Sequence, residues 1–182
     1  MRSMAKHIAP RWRTNKETIE DIVILCFFAL AAVLMYNLWT YNSAYAQIAG
    51  EQRLFSSNKQ FLDALPYQVG GDVQLGADNN ALARSEEAVI RFSTAGKQLR
   101  AWRPTYWHGN LLNTRNQLIA GNQAALRKAL AFRASARRRN SFRALYFELR
   151  ATKQWENEAS RAGEMAAAEL ERAGPYRPPK LF

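Results

Sequence analysis

Along residues 22–39 the interleaving of polar and apolar positions stops. The stretch IVILCFFALAAVLMYNLW holds one polar side chain, Asn37, and no charge. At about 1.5 Å per residue the run reaches about 27 Å, close to the ~30 Å hydrocarbon core of a bilayer. Tyr36, Trp39 and Tyr41 gather at its C-terminal end, where amphipathic rings favour the headgroup level. Ahead of it, Thr14 and Glu17 have the spacing of a capping box. The pattern predicts a transmembrane helix over 19–41 behind a basic tail at 1–18. The alternative, a core helix of a soluble domain, would need more apolar surface around it than the rest of the chain supplies.

Beyond residue 41 apolar positions recur at helical spacing. A helix over 43–65 is expected, broken where Ser56 or Ser57 caps a new turn carrying Phe61, Leu62 and Leu65, and stopped by Pro66. The segment YQVGGDVQLGADNN reads as a loop, because a lone hairpin about Gly70 and Gly71 is only marginally stable. Asn79 or Asn80 caps a helix to about Arg103, resting on Leu82, Val89, Phe92 and Leu99; Ser85, before Glu86 and Glu87, offers a later start. Pro104 ends it.

Residues 105–119 form a weaker helix, diluted by Gly109 and several Asn, while GNQAALRKALAFRASA forms a stronger one on Leu126, Ala129, Leu130 and Phe132. A break near 140–141 precedes a long helix on Phe142, Leu145, Leu149 and Trp155, ended by Gly174 and Pro175 after Ala173. The tail PYRPPKLF is extended. The fold class is therefore mostly α: one N-terminal transmembrane helix, a small helical domain over 42–174, and an extended Pro-rich C-terminal tail over 175–182. Its apolar stripes are narrow and interrupted by Ala, so the bundle is expected to need a partner to bury its remaining surface.

Charge fixes the expected orientation. Arg2, Lys6, Arg11, Arg13 and Lys16 precede the apolar run, whereas only Arg53 and Lys59 follow within about twenty residues. The positive-inside rule keeps the N-terminus in the cytoplasm and exports the rest, since long translocated domains tolerate charge. The expected location is a bacterial inner membrane with a periplasmic C-terminal domain, the alternative being the mitochondrial inner membrane. Ala44 and Ala46 in SAYAQ resemble a signal-peptidase site, and the acid-free first sixteen residues resemble a presequence. The long polar region ahead of a long apolar run favours an uncleaved anchor over both.

The net charge is +11, with 19 arginines to 7 lysines, which suits planar, bidentate contacts with an anionic partner. No acid occurs from 88 to 147, while twelve Arg or Lys do; from 154 to 172 five Glu face Arg161 and Arg172. The densest stretch, FRASARRRNSFR, carries Arg133, Arg137, Arg138, Arg139 and Arg143. Long arginine stems often cover apolar surface with their heads in water. Like charges at i,i+4, as at Arg133/Arg137 and Arg139/Arg143, nevertheless cost about 0.2–0.5 kcal/mol each. An anion is therefore expected opposite: a partner subunit or the chain's own acidic helix, then membrane lipid, with nucleic acid possible but not favoured. In the tail, Tyr176, Leu181 and Phe182 are candidates for a groove on a neighbouring subunit, because a pre-extended segment loses less entropy on docking.

LRAWRPTYWHGN gathers Trp102, Tyr106 and Trp107 with Arg100 and Arg103 as an interfacial aromatic group, or as packing of a helix–turn–helix corner. His108 has no second ligand at metal spacing, and the single Cys26 permits no internal disulfide and no CxxC site. Neither a GxSxG nucleophile elbow nor a phosphate-binding Gly-rich loop occurs. No catalytic residue, metal or cofactor is assigned, and no small-molecule substrate is evident. The expected function is a non-enzymatic single-pass scaffold or assembly subunit of a multiprotein envelope complex. Examples are a secretion or conjugation machine, or a membrane-bound respiratory or photosynthetic complex, with other membrane or periplasmic subunits as partners. The alternative is a membrane-tethered binder of polyanions, either DNA in transit or anionic lipid.

Overall fold

The computed structural model describes residues 13–68, 79–103, 108–137 and 142–176. It contains α1 (Arg13–Gln68), α2 (Asn79–Ala101), α3 (Gly109–Arg137) and α4 (Phe142–Ala173), and no strand among the described residues. The chain divides into two compact units, Met1–Thr40 and Tyr41–Phe182. The expected extension of the tail at 177–182 lies outside the described residues, as does most of the 67–80 loop.

The first unit contains the part of α1 that is long and apolar enough to cross a membrane by length and composition. Four consecutive residues of a helix point about 100° apart and cover its whole circumference. Ile22, Val23, Ile24 and Leu25 are each more than half exposed, and so are Phe27, Phe28, Leu34, Met35 and Trp39. The segment is thus apolar, and uncovered, on every side. The helix begins at Arg13, which places Thr14 and Glu17 inside it, past the N-cap position.

In the second unit one stripe per helix repeats every seven residues. Tyr41, Ile48, Phe55 and Leu62 form it on α1, and Ala81, Ala88, Ala95 and Trp102 on α2 and its end. Leu111, Leu118, Ala125 and Phe132 form it on α3, and Thr152, Ala159, Ala166 and Ala173 on α4. A sustained 3.5-residue period keeps each stripe facing its neighbours through a left-handed supercoil, the packing of four-helix bundles. The alanines that interrupt the apolar pattern are therefore the core itself. They let helices approach closely around the large side chains, and Phe55, Phe92, Ile48, Leu62, Leu99, Leu111 and Leu118 are almost fully buried. Each such burial stabilises by roughly 1.5–3 kcal/mol.

Cross-helix pairs give the direction of each helix. Along α1 and into α3, Tyr41 meets His108, Phe55 meets Gly121 and Asp63 meets Lys128, so these two helices run parallel. Tyr41 also meets Ala173, Phe55 meets Gly163, and Lys128 meets Glu156, so α4 runs antiparallel to both. Arg115 reaches the carbonyls of Leu99 and Arg100 while Arg137 pairs with Glu86, which makes α2 antiparallel to α3. The topology is up-down-up-down.

Three expectations are corrected. α1 does not break at Ser56 or Ser57, because the stripe Ile48, Phe55, Leu62 passes straight through them. Nor does Pro66 stop it: α1 continues to Gln68, and the proline gives up one i→i−4 bond in the last turn. The two helices expected over 105–136 are one, α3, with Gly121 inside it and Leu130 on the exposed side. The ends of α2 and α4 fall as expected, within two residues at Arg103 and at Ala173. At the latter, Gly174 takes φ +57° and its N–H donates to Leu170 O at 3.0 Å, a left-handed glycine cap.

Candidate functional site

Among the described residues, the predicted site residues fall into two groups at opposite ends of the bundle. Arg133 and Arg137 lie in the last turns of α3, beside the start of α2. Arg137 pairs with Glu86 at 2.9 Å, with both side chains largely in solvent. Arg138 and Arg139 lie outside the described residues, and Arg143 lies in the first turn of α4. The expected i,i+4 repulsion between Arg139 and Arg143 therefore falls outside the described residues.

Trp102 and Tyr176 occupy the other end, about 42 Å away by the 1.5 Å rise along α3. Trp102 packs partly against the core and closes α2 through its N–H to Gln98 O at 3.0 Å. Tyr176 is 44% exposed, and its backbone is held by the amide of Asn42: Nδ2 donates to the Tyr176 carbonyl (3.3 Å) and Oδ1 accepts from its N–H (3.0 Å). Next to it the Tyr41 hydroxyl stands 3.1 and 3.0 Å from the carbonyl oxygens of Ala173 and Gly174. The guanidinium of Arg115 caps the C-terminal carbonyls of α2, at 2.6 Å to Leu99 O and 2.9 Å to Arg100 O. Tyr106, Trp107, Leu181 and Phe182 lie outside the described residues.

Sequence reasoning missed the buried polar groups between the two ends. Lys128, whose side chain is 5% exposed, donates to Asp63 of α1 (2.8 Å) and Glu156 of α4 (2.9 Å). Lys59 donates to the same Asp63 at 2.6 Å. Burial would raise the Asp63 carboxyl, but the hydrogen bonds and charges of Lys128 and Lys59 outweigh it and hold its pKa below the ordinary value. Asn122 is 2% exposed with neither amide atom paired, and one carboxylate oxygen of Glu51 is equally enclosed. Burial pushes the Glu51 carboxyl up and the His108 imidazole down, so His108 is neutral at pH 7. The signal that could have found Lys128 is its place exactly two heptads after Thr114 and one after Gly121, on a buried stripe.

Chemically, these groups hold helices together. No cluster of three or more His, Cys, Asp or Glu suited to a metal occurs among the described residues. An open groove between α3 and α4, lined by Gln117, Ala120, Glu158, Arg161, Ala162 and Met165, brings one acid and one base together without a nucleophile. What the surface offers is two differently equipped ends: arginines at one, and aromatic rings with arginines at the other. No protein-family model, no curated protein and no solved structure matches this chain.

Proposed function

We propose that this is a single-pass membrane protein whose helical bundle works, without catalysis, as an assembly subunit of an envelope complex. The observation that carries the reading is the uncovered, all-round apolar segment at 22–39, followed by a bundle that buries its own core. A helix that is hydrophobic on every side needs an apolar medium, and a bilayer supplies one of matching thickness. The five basic residues ahead of the segment favour a cytoplasmic N-terminus and an exported bundle at a bacterial inner membrane. The run from Arg133 to Arg143, of which Arg133 and Arg137 lie at the end of the bundle away from Tyr41, then serves to dock an acidic partner subunit.

Sizing the native particle after mild detergent solubilisation tests this reading. A large co-purifying complex is expected, together with an active export-dependent phosphatase fused after Phe182 and no signal from a cytoplasm-only fluorescent reporter there. Arg137→Ala, Arg138→Ala and Arg139→Ala combined should reduce co-purification with helical content unchanged, since exposed ion pairs contribute only ~0–1 kcal/mol. A lone particle that binds DNA instead would overturn it in favour of a polyanion binder.

A further inference from the structure

We infer that the end of the bundle formed by the close of α2 and the close of α4 rests on anionic lipid headgroups, as a collar of basic and aromatic residues. This inference depends on the anchored reading above. Tyr41 directly follows Thr40, so covalent continuity alone keeps that end within a few residues of whatever medium holds residues 22–39. Trp39, at the last turn of the apolar run, marks the headgroup level.

The residues that the fold collects at this end suit that level. Arg100 and Arg103 are exposed at the close of α2 and flank the half-buried Trp102. Arg172 is exposed at the close of α4 and is followed by the exposed Pro175 and Tyr176. A tryptophan and a tyrosine, each apolar in body with a polar tip, beside arginines that reach phosphates bidentately, is the composition of an interfacial belt. At the close of α4, Arg172 is paired with Glu169 at 3.0 Å and Glu171 is exposed beside it, so the positive excess of this end is carried by Arg100, Arg103 and Arg115. Arg115 is engaged with α2 carbonyls and keeps its charge at the same end.

The Asn42 and Tyr41 hydrogen bonds make the collar one body. They fix the chain from Ala173 to Tyr176 against the first turn of the bundle. Arg115 holds the close of α2 to the start of α3, where His108 meets Tyr41, so both arginine-bearing helix ends lie at the same end. Arg133 and Arg137 lie a bundle length away, far beyond the ~8 Å over which exposed charges act at physiological salt. The two basic regions therefore act as separate charged patches.

The test uses the full chain with Cys26→Ser, carrying one environment-sensitive thiol label, reconstituted in phosphatidylcholine vesicles with or without phosphatidylglycerol. Labels go at Phe28→Cys in the apolar run, Ala101→Cys at the collar and Ala83→Cys at the opposite end. The label at 101 should be shielded from an aqueous quencher in anionic vesicles and released by neutral lipid or high salt. Arg100→Glu with Arg103→Glu should release it too, with contact weakened by roughly fivefold or more per arginine. The label at 83 should be quenched throughout. If 28 is in lipid and 101 is as open as 83, or if 83 is shielded as fully as 101, the collar is wrong and the anchor stands. A label at 28 that meets water overturns both.

Discussion

The ring of Phe55 fills the place where a side chain on Gly163 would begin: a methyl group there would stand 2.8 Å from Cε1 of Phe55. Gly121 on α3 faces the same ring, with 2.9 Å to Cζ and 3.2 Å to the Ala162 methyl. One phenyl group thus sets the spacing of three helices. Gly163→Ala or Gly121→Ala is expected to destabilise the bundle by about 1–3 kcal/mol through overpacking, despite the better helix propensity of alanine. Adding Phe55→Leu to either should recover part of the loss, measured as a non-additive double-mutant cycle in denaturant unfolding.

Lys128 and Asp63 couple α1, α3 and α4 through charge. Lys128→Met and Asp63→Ala are each expected to destabilise, the first by leaving the Asp63 and Glu156 carboxylates without their shared ammonium, the second by leaving a buried ammonium with Glu156 alone. The Asp63 carboxyl is held below its ordinary pKa of 3.8, so its contribution is complete above that value. It is lost as the pH falls below 3.8 through the depressed folded value. The expected result is that, once the pH passes below 3.8, urea midpoints fall more steeply in the wild type than in Asp63→Asn.

His108 makes stability depend on a higher pH range. Burial lowers its folded pKa below 6.5, so the unfolded chain binds the proton more readily. Stability should be full above about 6.5 and decline as acid charges the imidazole beside the Tyr41 ring, 5.4 Å away. In His108→Gln this decline should be absent when thermal midpoints are compared across that range.

Asn122 carries an amide with no partner inside the core, a loss of about 1–3 kcal/mol in general. Asn122→Leu should therefore raise the unfolding midpoint. A variant that unfolds more easily would show that the amide has a partner in the native state.

The Tyr41 hydroxyl ties α1 to the close of α4. Tyr41→Phe removes that tie and should cost about 0.5–1.5 kcal/mol. Hydrogen exchange should quicken at the Gly174 and Tyr176 amides before it quickens in the core.

How much of this was legible in the chain depended on how local the cause was. The close of α4 could be read because a glycine in a left-handed cap followed by proline is decided within a few residues. The uncovered helix was equally plain, as eighteen uncharged residues need no tertiary context. Part of the core was legible too, since Leu62, Leu65, Phe92, Leu99, Ala129 and Phe132 are all buried, but the stripes of α2 and α4 escaped because they are built largely of alanine, which adds little hydrophobic signal. Lys128 reads as a surface residue until Asp63, 65 residues earlier, and Glu156, 28 later, are brought to it. The same holds for Gly121, which looks like a helix weakener until Phe55 arrives from another helix.

The tie between Tyr41 and Gly174 spans 133 residues of chain, which gives it a meaning during synthesis. At ribosomal rates of 5–20 residues per second, roughly 7–27 s separate the appearance of its two halves. Through that interval Ile48, Phe55 and Leu62 can meet α2 and α3 as these emerge, but lack α4 to close the bundle. A nascent neighbour at the same stage offers the same seven-residue stripe. Crowded synthesis should therefore favour exchanged bundles, in which the fourth helix of one copy seals the first helix of another.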